Sequence, residues 1–340
     1  MIVTAGFNQV YKGTYVFPDD GCVHEVALKC AITEDGDLSS TRLCDGLARK
    51  EAHLYMTLRH PTLMRCWGWL MLDGRRTLVL DFTRGGTLDT AAFQMKWARR
   101  ELPHTFLLLV LRDVAAALAY LHGSHGASEN DIARDDAVTC RYFAHGDVHL
   151  SNVFLNRPPE EYSGSRDIPP IGAVARLTDL GTARVFCVED GRQTIPALEG
   201  VYLSLAGFTW PGGQVVTCPS YTSPEALDKF EWTPESDVWS WGIMAFELVA
   251  GQRVWDVTDL TNFAQLRSRI RSLASQQDAP KAEQNSAPSS DVDMVQWPDT
   301  IPSHFKAVQE LAKTALRPKP ADRPSSRHLL GEVEQLIAVL

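Results

Sequence analysis

The sequence has no surplus of positive charge: 33 lysines and arginines stand against 42 aspartates and glutamates, a net charge of -9. That balance argues against a general binder of nucleic-acid backbones or anionic membranes, and leaves only a local basic patch open. Cysteine patterning is also absent. The seven cysteines (Cys22, Cys30, Cys44, Cys66, Cys140, Cys187 and Cys218) are odd in number and scattered, with no CxxC pair and no Cys/His ligand spacing. Neither a zinc site nor a disulfide framework is expected, and free thiols in a reducing compartment are. The N-terminus, MIVTAGFNQVYKGTY, lacks the apolar core of a secretory signal. The longest apolar stretch, 106–111, is cut by Arg112 and Asp113, short of a membrane span. A soluble, cytoplasmic protein is expected, with neither nucleic acid nor membrane as a partner. The oligomeric state is left open.

What is present is ordinary for a globular protein: 44 % hydrophobic and 22 % charged residues over 340 positions. That length suits one large two-lobed unit or two domains. The first eighty or so residues alternate in the β manner, in QVYKGTYVF, VHEVALKCAI and the shorter RRTLVLDF. Between them, 39–58 has helical spacing through Leu43, Leu47, Leu54 and Leu58. After GGTLD at 85–89 the pattern turns helical, and 106–122 holds too many apolar residues for a surface helix. A second buried helix begins at Thr233-Pro234-Glu235, with Thr as N-cap and Pro at the first helical position. An amphipathic helix closes the chain. Three stretches, 123–141, 157–171 and 275–293, are rich in Ser, Pro, Gly or charge and are expected to be inserted loops.

The strongest chemistry lies in HGDVHLSNV at 145–153, followed by LTDLGTAR at 177–184. Phosphoryl transfer needs magnesium ions bridging phosphates and a carboxylate that orients the acceptor hydroxyl. Asp147 and Asn152, five apart in one loop, suit those jobs, Asp147 taking the acceptor proton and Asn152 binding metal. Asp179 is a second acid placed to hold magnesium across the phosphates. Either acid alone would more often be a turn residue; the two motifs in this order carry the weight.

HxDxxxxN followed by TDLG resembles the catalytic and magnesium loops of the protein-kinase family. The resemblance implies an α+β, bilobal fold: a small, mostly β lobe with one regulatory helix over 1–82, and a larger, mostly α lobe over 83–340. It implies ATP and Mg2+ as cofactors and a protein substrate. VALK at 26–29 resembles the family's lysine strand. There Ala27 covers an adenine ring and Lys29 reaches the α- and β-phosphates. Glu51, opening EAHLYMTLRHP, would pair with Lys29. In LVLDF, Leu80 takes the gatekeeper position, with Asp81 and Phe82 near the adenine edge; Phe154 would lie beneath the ring and Val10 above it. SPE at 223–225 and DRP at 322–324 imply a buried Glu225–Arg323 pair, and Asp237 would brace the catalytic loop. The latter motifs separate this pattern from small-molecule phosphotransferases, which HGDxH alone resembles.

Departures are concentrated at the phosphates. VTAGFNQV stands where GxGxxGxV is expected, so Val3, Ala5 and Asn8 fill the glycine positions and weak nucleotide binding is expected. Only two residues precede this loop, so the first strand is expected to be essentially missing. Gly146 replaces the usual arginine. His149 replaces the lysine that serine/threonine kinases aim at the γ-phosphate, and is either its electrostatic substitute or a loop hydrogen-bonder. Thr217-Cys218 replaces the usual Gly-Thr, and Cys218 is not expected to reproduce the threonine's bonds to the catalytic aspartate. VYKGTY and SDVWSWGIMAFEL resemble the tyrosine-kinase-like branch of serine/threonine kinases. The leading expectation is an active serine/threonine protein kinase; the alternative is a weak or inactive pseudokinase serving as a binding scaffold.

Overall fold

The computed structural model describes residues 3–5, 8–16, 21–31, 38–97, 102–123, 141–162, 168–189, 192–193, 218–229, 231–255, 268, 270, 272 and 295–340. Its first part is an antiparallel five-stranded sheet: β1 (Val3–Ala5), β2 (Asn8–Val16), β3 (Val23–Ala31), β4 (Cys66–Leu72) and β5 (Arg75–Asp81), ordered β1-β2-β3-β5-β4. The first strand, expected to be missing, is present but short. Val3 pairs with Val10 and Ala5 with Asn8, so the residues in the glycine positions belong to a regular ladder that tolerates side chains. Strand β4 was not foreseen, because a bulge between Cys66 and Gly68 breaks its alternation. Helix α1 (Leu38–Thr57) packs on β3, β4 and β5.

Helices dominate the remainder: α2 (Leu88–Trp97), α3 (His104–Leu121), α4 (Pro224–Lys229), α5 (Pro234–Ala250), α6 (Lys306–Ala315) and α7 (Ser326–Ala338). Together the two parts form a bilobal, α+β fold. By length and apolar composition α3 could cross a membrane, contrary to the reading of its sequence, but most of it is buried within the protein. It packs against α5 and α7, and α5 packs against α6. Trp239, Trp241, Phe106 and Phe246 fill the space between them. Pro234 opens α5 behind Thr233, whose N–H donates to Ser236 Oγ at 3.1 Å, and Gly251 closes it in the left-handed conformation.

Short strands carry the loops of the site. These are β6 (Arg141–Ala144), β7 (Val153–Leu155), β8 (Ala175–Leu177), β9 (Arg184–Glu189) and β10 (Arg192–Gln193). β7 pairs with β8, and β9 lies between β6 and β10. The buried Asp113 of α3 accepts the N–H groups of Val174 and Ala175 at 3.1 and 3.0 Å, fixing the entry to β8. Arg112 pairs with Asp113 and donates to the carbonyls of Pro169 and Pro170. Of the expected loops, 124–140 and 275–293 lie outside the described residues. Of the third, 163–167 also lie outside them, and in its described part Tyr162 packs on Phe106 and donates to the Ala173 carbonyl.

Glu225 and Arg323 form the expected buried pair, with both guanidinium ends at 2.8 Å from the carboxylate. Against the upward push of burial, Arg323 and Ser236 hold the Glu225 carboxyl below its ordinary range. Removing one partner strands the other charge in the interior. Arg323→Met should therefore destabilise the protein by about 3–5 kcal/mol in denaturant melts, and adding Glu225→Leu should recover much of the loss.

Candidate active site

The catalytic loop begins where β6 ends, and α5 holds it from below. Asp237 accepts the N–H groups of His145 and Gly146 at 2.6 and 2.8 Å, and His122 Nε2 at 2.9 Å. His145 donates from Nε2 to the Thr178 carbonyl at 2.9 Å and accepts the Asp147 N–H through Nδ1 at 3.3 Å, which sets its tautomer. The loop and the strand bearing Asp179 are thereby joined.

Asp147 is held from three sides. Asn152 Nδ2 donates to its carbonyl at 2.9 Å and to its Oδ2 at 3.1 Å. The backbone N–H of Cys218 donates to Oδ1 at 2.9 Å. At position 218 it is the main chain that bonds Asp147, a contact separate from the side-chain bonds that cysteine was not expected to reproduce. His149 lies with Nε2 at 3.4 Å from Asp147 Oδ2, while Nδ1 accepts the Ser151 N–H at 3.3 Å. With Nδ1 accepting, the proton sits on Nε2, facing Asp147. His149 is a hydrogen-bonder of the loop that also borders the catalytic acid.

The second cluster is ionic. Lys29 Nζ lies 2.8 and 3.0 Å from the two oxygens of Glu51 and 2.9 Å from Asp179 Oδ1. Despite burial, Asp179 and Glu51 hold the Lys29 ammonium well above its ordinary pKa. Burial pushes the Glu51 carboxyl up to about 7 against the pull of Lys29, whereas Lys29 keeps Asp179 below the usual range. Asp179 stands in the left-handed region at φ 68°, and its N–H donates at 2.9 Å to Tyr55 Oη, which shares a 2.8 Å bond with Thr178 Oγ1. Tyr55 was not foreseen, although it lies one helical turn beyond Glu51 on the same face of α1.

Cross-strand partners share a face of the sheet. Lys12, Ala27 and Leu80 lie opposite one another, as do Val10, Lys29 and Leu78 two residues along. Val10, Ala27, Lys29 and Leu80 therefore line one face, as the adenine and phosphate assignments require. Phe154 of β7 and Ala27 pack against the core cluster that contains Leu80. Phe82 carries Lys12 Nζ 4.4 Å above its ring. Asp81 follows Leu80 at the end of β5. Its carboxylate pairs with Arg176 and accepts Trp67 Nε1 at 2.6 Å, and its N–H goes to the Arg65 carbonyl.

A model of the protein kinase domain matches residues 7–333. The chain belongs to the protein kinase family. It is 26 % identical over 254 residues to a probable LRR receptor-like serine/threonine-protein kinase of Arabidopsis thaliana, covering 74 % of this chain and 18 % of that protein. Cysteine-rich receptor-like protein kinase 7 of the same plant is 25 % identical over 73 % of this chain and 29 % of its own length. A brassinosteroid LRR receptor kinase of Oryza sativa subsp. japonica is 24 % identical over 76 % and 17 %. The chain thus spans less than a third of these relatives.

Protein kinases use ATP with a divalent metal, and the donor set here fits one. Asp179 offers carboxylate oxygen, and Asn152 donates only through Nδ2, leaving its carbonyl oxygen without a hydrogen bond among the described residues. These are the hard oxygen ligands that such ions take. Where kinases usually carry an arginine, Gly146 sits at φ 79°, and a Cβ built there would lie 3.2 Å from the Thr182 carbonyl and 3.8 Å from Trp232. Arg184 stacks over that tryptophan at 4.1 Å. Thr217 lies outside the described residues.

Because Glu51 must be ionised to fix Lys29, turnover should fall as pH drops through about 7. Comparing pH–rate profiles of the wild type and Glu51→Gln checks this: the variant should run lower throughout but without that acid limb.

Proposed function

We propose that this chain transfers the γ-phosphoryl group of ATP, with Mg2+, to serine or threonine hydroxyls of protein substrates. The observation that carries the reading is the convergence of Lys29, Glu51 and Asp179 beside a separately buttressed Asp147–Asn152 pair. A protein needed only as a scaffold has no chemical use for all five groups, so the pseudokinase alternative is not favoured. The serine/threonine preference is supported by the names of the relatives.

In this reading Asp147 orients the acceptor hydroxyl and accepts its proton, with Asn152 and the Cys218 amide holding the carboxylate in place. Lys29, steadied by Glu51, binds the α- and β-phosphates. Asp179 and Asn152 would hold Mg2+, which neutralises charge on the phosphates when bound. Val10, Ala27, Leu80 and Phe154 would enclose the adenine. Asp81 and Phe82 would border its edge. The domain would work in the cytoplasm, which the free thiols of Cys22, Cys30, Cys66 and Cys218 support.

Transfer of labelled γ-phosphate to generic protein substrates tests the proposal. Asp147→Asn and Asp179→Asn should each lower turnover by about 10²-fold or more, because each removes a positioned acid; full activity in the Asp147 variant would sink the assignment. Residues other than glycine at positions 5 and 8 give the backbone less freedom to approach the phosphates. Calorimetry should accordingly find weak ATP–Mg2+ binding that Asn8→Gly strengthens.

A further inference from the structure

Helix α1 meets the site at Glu51 and Tyr55, and also at Lys50, which has no role so far. Lys50, next to Glu51, is 7 % exposed, and its amine donates to the Gly181 carbonyl at 3.2 Å. No carboxylate lies within ion-pair distance of it among the described residues, and the nearest influences are Arg184, which repels it, and Glu51, which attracts it. A buried cation without a counter-ion is costly, and an apolar side chain would fill such a space at less expense of stability. Burial and Arg184 push the amine down to about 7, so near neutral pH much of it is uncharged. A neutral amine still donates hydrogen bonds.

Gly181 is where the turn bearing Asp179 meets α1. A Cβ built on it would lie 3.3 Å from Asp179 Oδ1 and 3.9 Å from Glu51 Oε2. One side of this glycine therefore faces both carboxylates that Lys29 joins, and its carbonyl is held by Lys50. Glu51 reaches the turn only through Lys29; Lys50 reaches it directly. We propose that Lys50 is a positioning residue for phosphoryl transfer, holding the Asp179 carboxylate in register with α1 through the Gly181 carbonyl. The inference rests on the kinase reading above and adds a further link between α1 and this turn, beside the Lys29 ion pairs and the Tyr55 hydroxyl.

The test compares Lys50→Met with Lys50→Gln in the full chain, by amide hydrogen exchange over 178–183, by melting temperature and by turnover. Loss of one hydrogen bond should speed exchange in that segment about tenfold and lower kcat about tenfold in the methionine variant, with KM for ATP within about twofold. Its melting temperature should not fall, because a buried amine has been removed. Glutamine, a neutral donor, should recover most of both losses. Native-like exchange in Lys50→Met would overturn the proposal, as would equal losses in both variants accompanied by lowered melting temperatures. A wild-type chain without turnover would sink the kinase reading alone, because the exchange comparison decides the role of Lys50 without catalysis.

Discussion

One ammonium group ties the two halves of this molecule together at the point where chemistry is expected. Lys29 comes from the sheet, Glu51 from the helix behind it and Asp179 from the turn after β8, and the three meet within hydrogen-bond distance. In an interior that screens charge poorly, two carboxylates so placed would repel each other strongly without the cation between them. Burial is the main cause of the upward push on Glu51, and Asp179 adds to it. The orientation of α1, the register of β3 and the left-handed turn at Asp179 are thus mutually dependent, and none can be moved without disturbing the other two.

A second tier of buried polar contacts keeps the first in place. Asp237 gathers two backbone amides and His122 into one carboxylate, so the catalytic loop is referenced to α5, which is almost wholly buried. Asp113 does the same for the entry to β8. Satisfied networks of this kind rigidify an interior, whereas a partly satisfied one is worse than none. The Asp81–Arg176 pair joins the end of β5 to β8, three residues before Asp179.

The sequence was legible wherever function demands fixed residue types at short spacing. Asp147 and Asn152 share one loop, Lys29 and Ala27 alternate on one strand, and α1 was placed to within one residue at each end. What it could not show were contacts made only by folding. Tyr55 meets Thr178 and Asp179 across more than 120 positions, and Lys50 meets Gly181 across 131. No local pattern marks either. Strand β4 escaped because a bulge breaks its period, and the Asp81–Arg176 pair was not visible because strand register shows where a residue stands but not where its carboxylate turns. The bond at position 218 escaped as well, since only side chains are visible in a sequence and the backbone N–H of Cys218 makes it.

That last bond has an evolutionary side. A contact that depends on a hydroxyl or an amide side chain can be erased by many single-codon changes. The hydrogen that Cys218 gives to Asp147 belongs to the peptide unit and survives every substitution but one. Proline alone lacks it. A change of side chain at position 218, to anything but proline, therefore leaves in place the peptide N–H that bonds Asp147.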